Sequence, residues 1–427
     1  MALTAGCRGP EQNTDVGTVS ATPPTTSLSP APHPGFLYGR VITDDGTIYE
    51  GRLRWGRDEE ASWGDYFNGL KDDNPWADHV SQEQLEKQGF PLTIFGFEFA
   101  DWGSPIDLVR PFMARFGDIA RIEAQGVFGS RVTLKSGTMF AINGMEANDF
   151  EDGVRVGDIG RGAVDLARRQ IRSIEFLPTT LLSGAPTRLY GTVRTRQGDF
   201  TGFLQWDRQQ GVGSDTLDGR TADEELSLRF DTLRSIARHS PDSALLTLLD
   251  GREIVLSGSR EVGDGNRGIY VDDGRYGRVL ISWNAFEHVD FSPGGSGPAY
   301  GDFPPGRPLT GSVTTLDGRR LVGRLVYDLD ESETTDTLDA PSQGVDYTLP
   351  FGLVASIALP AHDETGARRA WVTLHSGEAL ELELAGDFGE GNAGLLVFVD
   401  GRQSPEYVLW KDVKGVAFDV TTVQIER

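Results

Sequence analysis

The chain has 427 residues, with 40 Lys and Arg against 64 Asp and Glu, for a formal charge of −24. A field of that sign repels phosphate backbones and anionic lipid surfaces, and no local cluster of basic residues reverses it, so nucleic-acid binding is disfavoured. No run approaches the roughly 20 apolar residues of a membrane-spanning helix, while 38% hydrophobic residues with 54 Gly and 22 Pro describe packed cores broken by many turns, which points to an all-β fold.

Residues 1–35 read as a disordered tether. Residues 8–34 are polar, carry Pro10, Pro23, Pro24, Pro30, Pro32 and Pro34 among Thr and Ser, and show no hydrophobic period. The single cysteine, Cys7, allows no intrachain disulfide. It ends the string Leu3-Thr4-Ala5-Gly6-Cys7, which resembles the lipobox closing a bacterial lipoprotein signal peptide. That resemblance implies lipidation of Cys7 and a place in the cell envelope, periplasmic or on the outer membrane. Only three residues precede Thr4, with no basic or apolar leader; the alternative is a plain polar tail and a cytoplasmic protein.

From residue 36 onward the sequence repeats. Gly39-x-Val41-x-Thr43 followed by Gly51-x-Leu53-x-Trp55 recurs as Gly191-x-Val193-x-Thr195 with Gly202-x-Leu204-x-Trp206. It returns as Gly311-x-Val313-x-Thr315 with Gly323-x-Leu325-x-Tyr327. Each copy, called A, closes on Phe116-x-x-Ile119-x-x-Ile122, Phe230-x-x-Leu233-x-x-Ile236 or Phe351-x-x-Val354-x-x-Ile357. A second unit, B, opens at Val132-Thr133-Leu134, Leu246-Thr247-Leu248 and Val372-Thr373-Leu374, and closes at Ile171-x-x-Ile174-x-Phe176, Phe286-x-x-Val289-x-Phe291 and Val413-x-x-Val416-x-Phe418. The alternation has period two, and Asp-Gly or Ser-Gly between such runs marks hairpins.

Short strands in units of about 50–60 residues bury little surface unless the sheet curls onto itself. The expected architecture is therefore six tandem small β-barrel modules in three A-B pairs: 36–126 and 127–180, 187–241 and 244–294, 307–360 and 369–427. The A units resemble the first motif of the Sm and LSm family of small, SH3-like barrels, most clearly at Leu316-Asp317-Gly318 through Gly323-Arg324-Leu325 to Thr337-Leu338-Asp339. The resemblance implies the barrel fold. Where the family's RNA pocket has an Arg-Gly pair, this chain has Arg229-Phe230-Asp231 and Pro350-Phe351-Gly352, so RNA is not the expected ligand. The Gly-rich loops 263–268 and 389–394 read as structural turns.

The first A unit breaks the pattern. Trp55 to Phe116 spans 61 positions, whereas Trp206 to Phe230 and Tyr327 to Phe351 span 24 each, an insertion of 37 within about 60–112. It holds one short helix, signalled by Ser81 and Gln84 as a capping box with Val80 and Leu85 as a staple, then alternating Phe95, Phe97 and Phe99. Its aromatics, among them Trp63, Tyr66, Phe67, Trp76 and Trp102, either form a private core or line a platform for a partner protein or a sugar ring.

Acidic residues crowd the third A unit: Asp328, Asp330, Glu331, Glu333, Asp336 and Asp339. Solvation explains such a run; Ca²⁺ binding through Asp328, Asp330, Glu333 and Asp339 is the alternative, although the run lacks the EF-hand glycine and terminal glutamate. No catalytic motif is present, and Asp65 and Glu98 are only a generic carboxylate pair. The functional expectation is a non-enzymatic binding or scaffolding component of the bacterial envelope, without a cofactor, that docks a partner protein through the aromatic insertion. The alternatives are a carbohydrate-binding or carbohydrate-processing protein and a structural spacer.

Overall fold

Period-two alternation becomes strand in nearly every predicted place. The computed structural model describes residues 35–56, 59–81, 83–85, 93–94, 97–98, 110–126, 129–143, 149–179, 186–295, 297–360 and 369–419. Cys7 with the tether, Phe95, Phe99 and Trp102 lie outside them. The first repeat contains β1 (Tyr38–Thr43), β2 (Ile48–Trp55), β3 (Tyr66–Lys71), β4 (Thr93–Ile94), β5 (Phe97–Glu98), β6 (Pro111–Arg115), β7 (Ile119–Gln125), β8 (Gly129–Leu134), β9 (Met139–Asn143), β10 (Val154–Asp158), β11 (Gly162–Leu166) and β12 (Ile171–Phe176). The second contains β13 (Tyr190–Thr195), β14 (Gly198–Gln205), β15 (Thr216–Arg220), β16 (Glu225–Arg229), β17 (Leu233–Ser240), β18 (Ser243–Leu248), β19 (Glu253–Ser257), β20 (Ile269–Asp273), β21 (Gly277–Ile281) and β22 (Phe286–Phe291). The third contains β23 (Thr310–Thr315), β24 (Arg320–Val326), β25 (Thr337–Ser342), β26 (Val345–Pro350), β27 (Val354–Ala358), β28 (Arg369–Leu374), β29 (Ala379–Glu383), β30 (Leu395–Val399), β31 (Glu406–Val408) and β32 (Val413–Phe418).

The all-β class is as expected, and the strand pairing adds what period alone cannot give. Three large antiparallel sheets run β11-β10-β2-β1-β12-β7-β8-β9-β3-β6, then β16-β15-β19-β18-β17-β22-β13-β14-β20-β21-β26-β25, then β29-β28-β27-β32-β23-β24-β30-β31, and among the described residues none closes on itself through hydrogen bonds. Pairing crosses the A-B border in every repeat. The A hairpin β1-β2 lies beside β10, β11 and β12 of B, while the B hairpin β8-β9 lies beside β3, β6 and β7 of A. The second repeat copies this arrangement, so each of these two repeats is a pair of five-stranded halves that have exchanged their last three strands. A and B offer hairpins of the same pattern, so either can complete the other's sheet.

The third repeat departs at one place. Its hairpin β25-β26 still packs beside β29 but is hydrogen-bonded to β21 of the second repeat, Arg278 opposite Thr348 and Val279 opposite Tyr347. One sheet thus spans two repeats. The linker 292–308 packs back on the first repeat: Tyr300 donates its hydroxyl to the Ile119 carbonyl at 2.7 Å, and Lys135 Nζ sits 3.5 Å from the Tyr300 ring centre.

Two features recur in all three cores. Glycines face each other across the opening hairpin, Gly39 with Gly51, Gly191 with Gly202 and Gly311 with Gly323. A Cβ on Gly51, Gly202 or Gly323 would stand 2.0–2.1 Å from a carbonyl oxygen of the adjoining strand, respectively Gly157, Asp272 and Phe398. Only glycine permits that approach. At the end of the second strand, Trp55, Trp206 and Tyr327 are at most 1% exposed and pack on Phe116, Phe230 and Phe351. Their polar tips donate to the carbonyls of Asp149 (2.7 Å), Glu261 (2.9 Å) and Asp387 (3.0 Å), so a residue of A is pinned to B in each repeat.

Gly202→Ala is expected to destabilise the fold by about 1–3 kcal/mol or more through forced strand separation. Gly274→Ala, where nothing lies within 4 Å of the added carbon, should stay within about 0.5 kcal/mol. Urea unfolding of the two variants compares them directly.

Candidate functional site

The insertion turns its described aromatics inward. Tyr66 is 3% and Phe67 0% exposed, and Phe67 meets Trp55 edge-on at 5.5 Å. Trp63 is half-buried between Phe303 of the linker (6.1 Å) and Arg115 (5.1 Å), and its indole N–H points to the Asp272 carbonyl of the second repeat at 3.4 Å. Trp76 is half-buried against Phe398 of the third repeat at 6.0 Å, with Arg324 5.2 Å from its ring. The capping box forms as predicted, Ser81 N–H donating to Gln84 Oε1 at 2.9 Å and Gln84 N–H to Ser81 Oγ at 3.3 Å. Val80 and Leu85 then bury against Val326, Leu329, Ala393 and Leu396. These residues clamp the first repeat to the second and third.

The clamp to the second repeat is polar and buried. Arg278 of β21 lies between the rings of Tyr66 (4.5 Å) and Tyr270 (4.2 Å), with Asp65 Oδ1 and Asp272 Oδ1 each 3.7 Å away. Asp65 also accepts the N–H groups of Glu60 and Ala61 at 2.8 Å and the side-chain amide of Gln205, so it serves as a structural acceptor. Glu98's side chain lies outside the described residues. Burial pushes Asp272 up to about 6, against the pull of Arg278 and Arg188. Gly64 is seated on that carboxylate, where a Cβ would come within 1.7 Å of Asp272 Oδ2.

The clamp to the third repeat encloses a cavity of about 470 Å³. Lys71 and Arg110 enter from the first repeat, at the ends of β3 and β6. Facing them are Asp328, Asp330, Glu331, Asp336, Asp339 and Asp387 of the third. Asp330 pairs with Lys71, and Asp328 Oδ1 with Arg110 Nη2 at 3.3 Å. Burial pushes Asp328 and Asp336 up to about 6. Glu331 is pushed well above the usual carboxylate range by burial and then by the charges of Asp330 and Asp387; Asp387 is raised likewise by burial, Asp339 and Asp328. Lys71 loses to burial but gains more from Asp330 and Asp336, and ends raised.

The other repeats show which carboxylates the fold itself needs. Asp336 accepts the N–H groups of Ser332 (2.7 Å) and Glu333 (2.9 Å), as Asp215 accepts those of Gly211 and Val212. Asp387 takes the Asp339 N–H at 2.6 Å, as Glu261 takes that of Asp218 and Asp149 that of Asn68. Asp328 accepts from Ala393 N–H, as Asp207 does from Arg267 N–H. Asp330 and Glu331 have no backbone duty of that kind: their counterparts are Gln209 and Gln210 in the second repeat and Asp58 and Glu59 in the first. Gln210 donates its amide to Glu261 Oε1 at 2.8 Å. Glu331 brings a carboxylate to the same place, and its Oε2 is buried without a hydrogen-bond partner.

Of the candidate metal ligands, Asp328, Asp330 and Asp339 do converge here, while Glu333 lies apart and accepts from Thr138 of the first repeat. Among the described residues no group of three His, Cys, Asp or Glu is placed to hold a metal ion. The Gly-rich loops are turns held by Asn266 and Asn392, which bond the carbonyls of Glu261 and Asp387 and the N–H groups of Gly268 and Gly394. Sequence reasoning missed Lys71, Arg110 and Asp387, which come from distant segments. The available signal was Asp330-Glu331 standing where the second repeat has Gln209-Gln210, a pair shared with Asp58-Glu59 of the first. No protein-family model matches the chain and no curated protein resembles it, so the site stands on its geometry.

Carboxyls raised by folding hold protons that the unfolded chain releases, so their contribution to stability falls as pH climbs from about 4 through about 6. Carboxylates lowered by hydrogen bonds, such as Asp45 and Asp317, lose their contribution only as pH falls further. Glu331→Gln is therefore expected to stabilise the protein at pH 7.5, on the order of 1 kcal/mol, and to change little at pH 4.5. Thermal melts at the two pH values test it; destabilisation at pH 7.5 would contradict the burial of an uncompensated charge.

Proposed function

We propose that this chain is a non-enzymatic binding or scaffolding component of the bacterial cell envelope, built from six exchanged Sm-like or SH3-like modules, and that its recognition site is the acidic cavity between the first and third repeats. The ligand there is cationic. The observation that carries this reading is Glu331: its Oε2 is buried without a hydrogen-bond partner beside Asp328, Asp330 and Asp387, in a cavity where six third-repeat carboxylates face two bases, Lys71 and Arg110. A buried charge without a counter-charge costs stability, and a protein that retains one gains it back when a cation binds. The five-stranded size of the exchanged halves supports the small-barrel kinship, and the string ending at Cys7 supports the envelope location.

The test is a thermal-shift series at pH 7.5 with alkali, alkaline-earth, guanidinium and alkylammonium chlorides at matched ionic strength. One class is expected to raise the melting temperature saturably in the wild type and not in Glu331→Gln. A flat series would reject the cavity as a binding site. A diacyl or triacyl mass on Cys7 in the membrane fraction is the expected result for location, and an unmodified soluble chain would remove that part of the reading.

A further inference from the structure

Lys71 shows how the cavity holds a cation. Its ammonium pairs with Asp330 and stands 5.0 Å from the centre of the Phe140 ring, a charge held between a carboxylate and an aromatic face at the end of a methylene chain. The remainder of the cavity offers the same ingredients. Phe112 and Met113 form apolar wall. Glu331 Oε2 has no partner. Asp118, 3% exposed and on the cavity lining, gives Oδ2 to Arg115 at 2.7 Å and leaves Oδ1 without a partner. The acceptors are thus contributed by different repeats, Asp118 by the first and Glu331 by the third, and apolar side chains line the same cavity.

That layout discriminates among cations. A calcium ion needs six to eight oxygens at about 2.3–2.6 Å around one point. Asp328, Asp336 and Asp387 have oxygens already bound to backbone N–H groups, and among the described residues no three carboxylates are placed to hold a metal ion. A primary ammonium needs only one to three acceptors, and a methylene chain carries a second ammonium to a separate carboxylate while covering apolar wall. The cavity volume falls within the range of small-molecule sites, roughly 300–1,000 Å³.

We infer that the cavity binds a primary alkylammonium group, seated by Glu331 and Asp387 and supported on Phe112 and Met113, from a free diamine or polyamine or from a lysine side chain. This inference rests on the reading of the cavity as a cation site and names its ligand class.

Calorimetric titration of the full chain at pH 7.5 and low salt tests it, with cadaverine, spermidine, Nα-acetyl-lysine amide, tetramethylammonium and Ca²⁺ as probes. The primary amines are expected to bind at least tenfold more tightly than tetramethylammonium, which has no N–H to donate. Glu331→Gln is expected to weaken them at least tenfold. That variant keeps the fold because glutamine occupies the same position in the second repeat, and its circular dichroism and melting temperature verify it. Tightest binding of cadaverine or spermidine would assign a free polyamine, and tightest binding of the lysine derivative a partner's side chain. If Ca²⁺ or tetramethylammonium outbinds every primary amine and Glu331→Gln abolishes it, the cavity reading stands and the alkylammonium assignment is overturned. If the folded protein binds none of the probes, both fall.

Discussion

The three repeats meet at one buried cation, Arg278. Its strand, β21, pairs with β20 of its own repeat and with β26 of the third, and its guanidinium is closed between Tyr66 of the first repeat and Tyr270 of the second. A planar guanidinium can stack on two rings while its edges face two carboxylates, which is the geometry Asp65 and Asp272 provide at 3.7 Å. A lysine could not reproduce it. Because a buried charge must be matched, these partners are fixed together, and so are the segments that carry them. Fixing β3 at Tyr66 also sets the direction in which the same strand delivers Lys71 to the third repeat.

Strand exchange makes this rigidity possible. With A and B halves completing each other's sheets, neither half unfolds without breaking the other, and the carboxylates of Asp149, Glu261 and Asp387 reinforce the link by capturing a backbone N–H of the third strand in each repeat. In the third repeat the hairpin β25-β26 also joins β21 of the second. The cavity between the first and third repeats is walled by carboxylates, several held there by structural duties they share with the other repeats. Asp330 and Glu331, which stand where the second repeat has Gln209 and Gln210, add to a surplus of negative charge that the other carboxylates already set.

Local features of this fold were legible in the sequence because their causes are local. The paired glycines mark strands in close backbone approach, Trp55, Trp206 and Tyr327 mark the core, and Ser81 with Gln84 marks a helix start; each appears where the pattern placed it. The exchange was not legible, since alternation specifies which face of a strand is buried but not which hairpin lies beside it. The aromatic density of the insertion gave the burial of Tyr66 and Phe67 as one alternative, yet their partners, Arg278 and the first-repeat core, are separated too widely in sequence for any pattern to pair them. The cavity was half legible: Asp328, Asp330 and Asp339 were in view as a run, whereas Lys71, Arg110 and Asp387 join them only through tertiary structure. Glu331 acquires meaning only when set against Gln210.

The central claim is that the three repeats form one interlocked body around Arg278, which holds the acidic cavity closed against its own charge. Native-state hydrogen exchange tests it most directly, because independent repeats would open independently. The account predicts that amides of β3, β20, β21 and β26 share one high level of protection and are lost together only in global unfolding. Exchange of the first-repeat strands at least a hundredfold faster than those of the second would show that the repeats part before they unfold, and would contradict it.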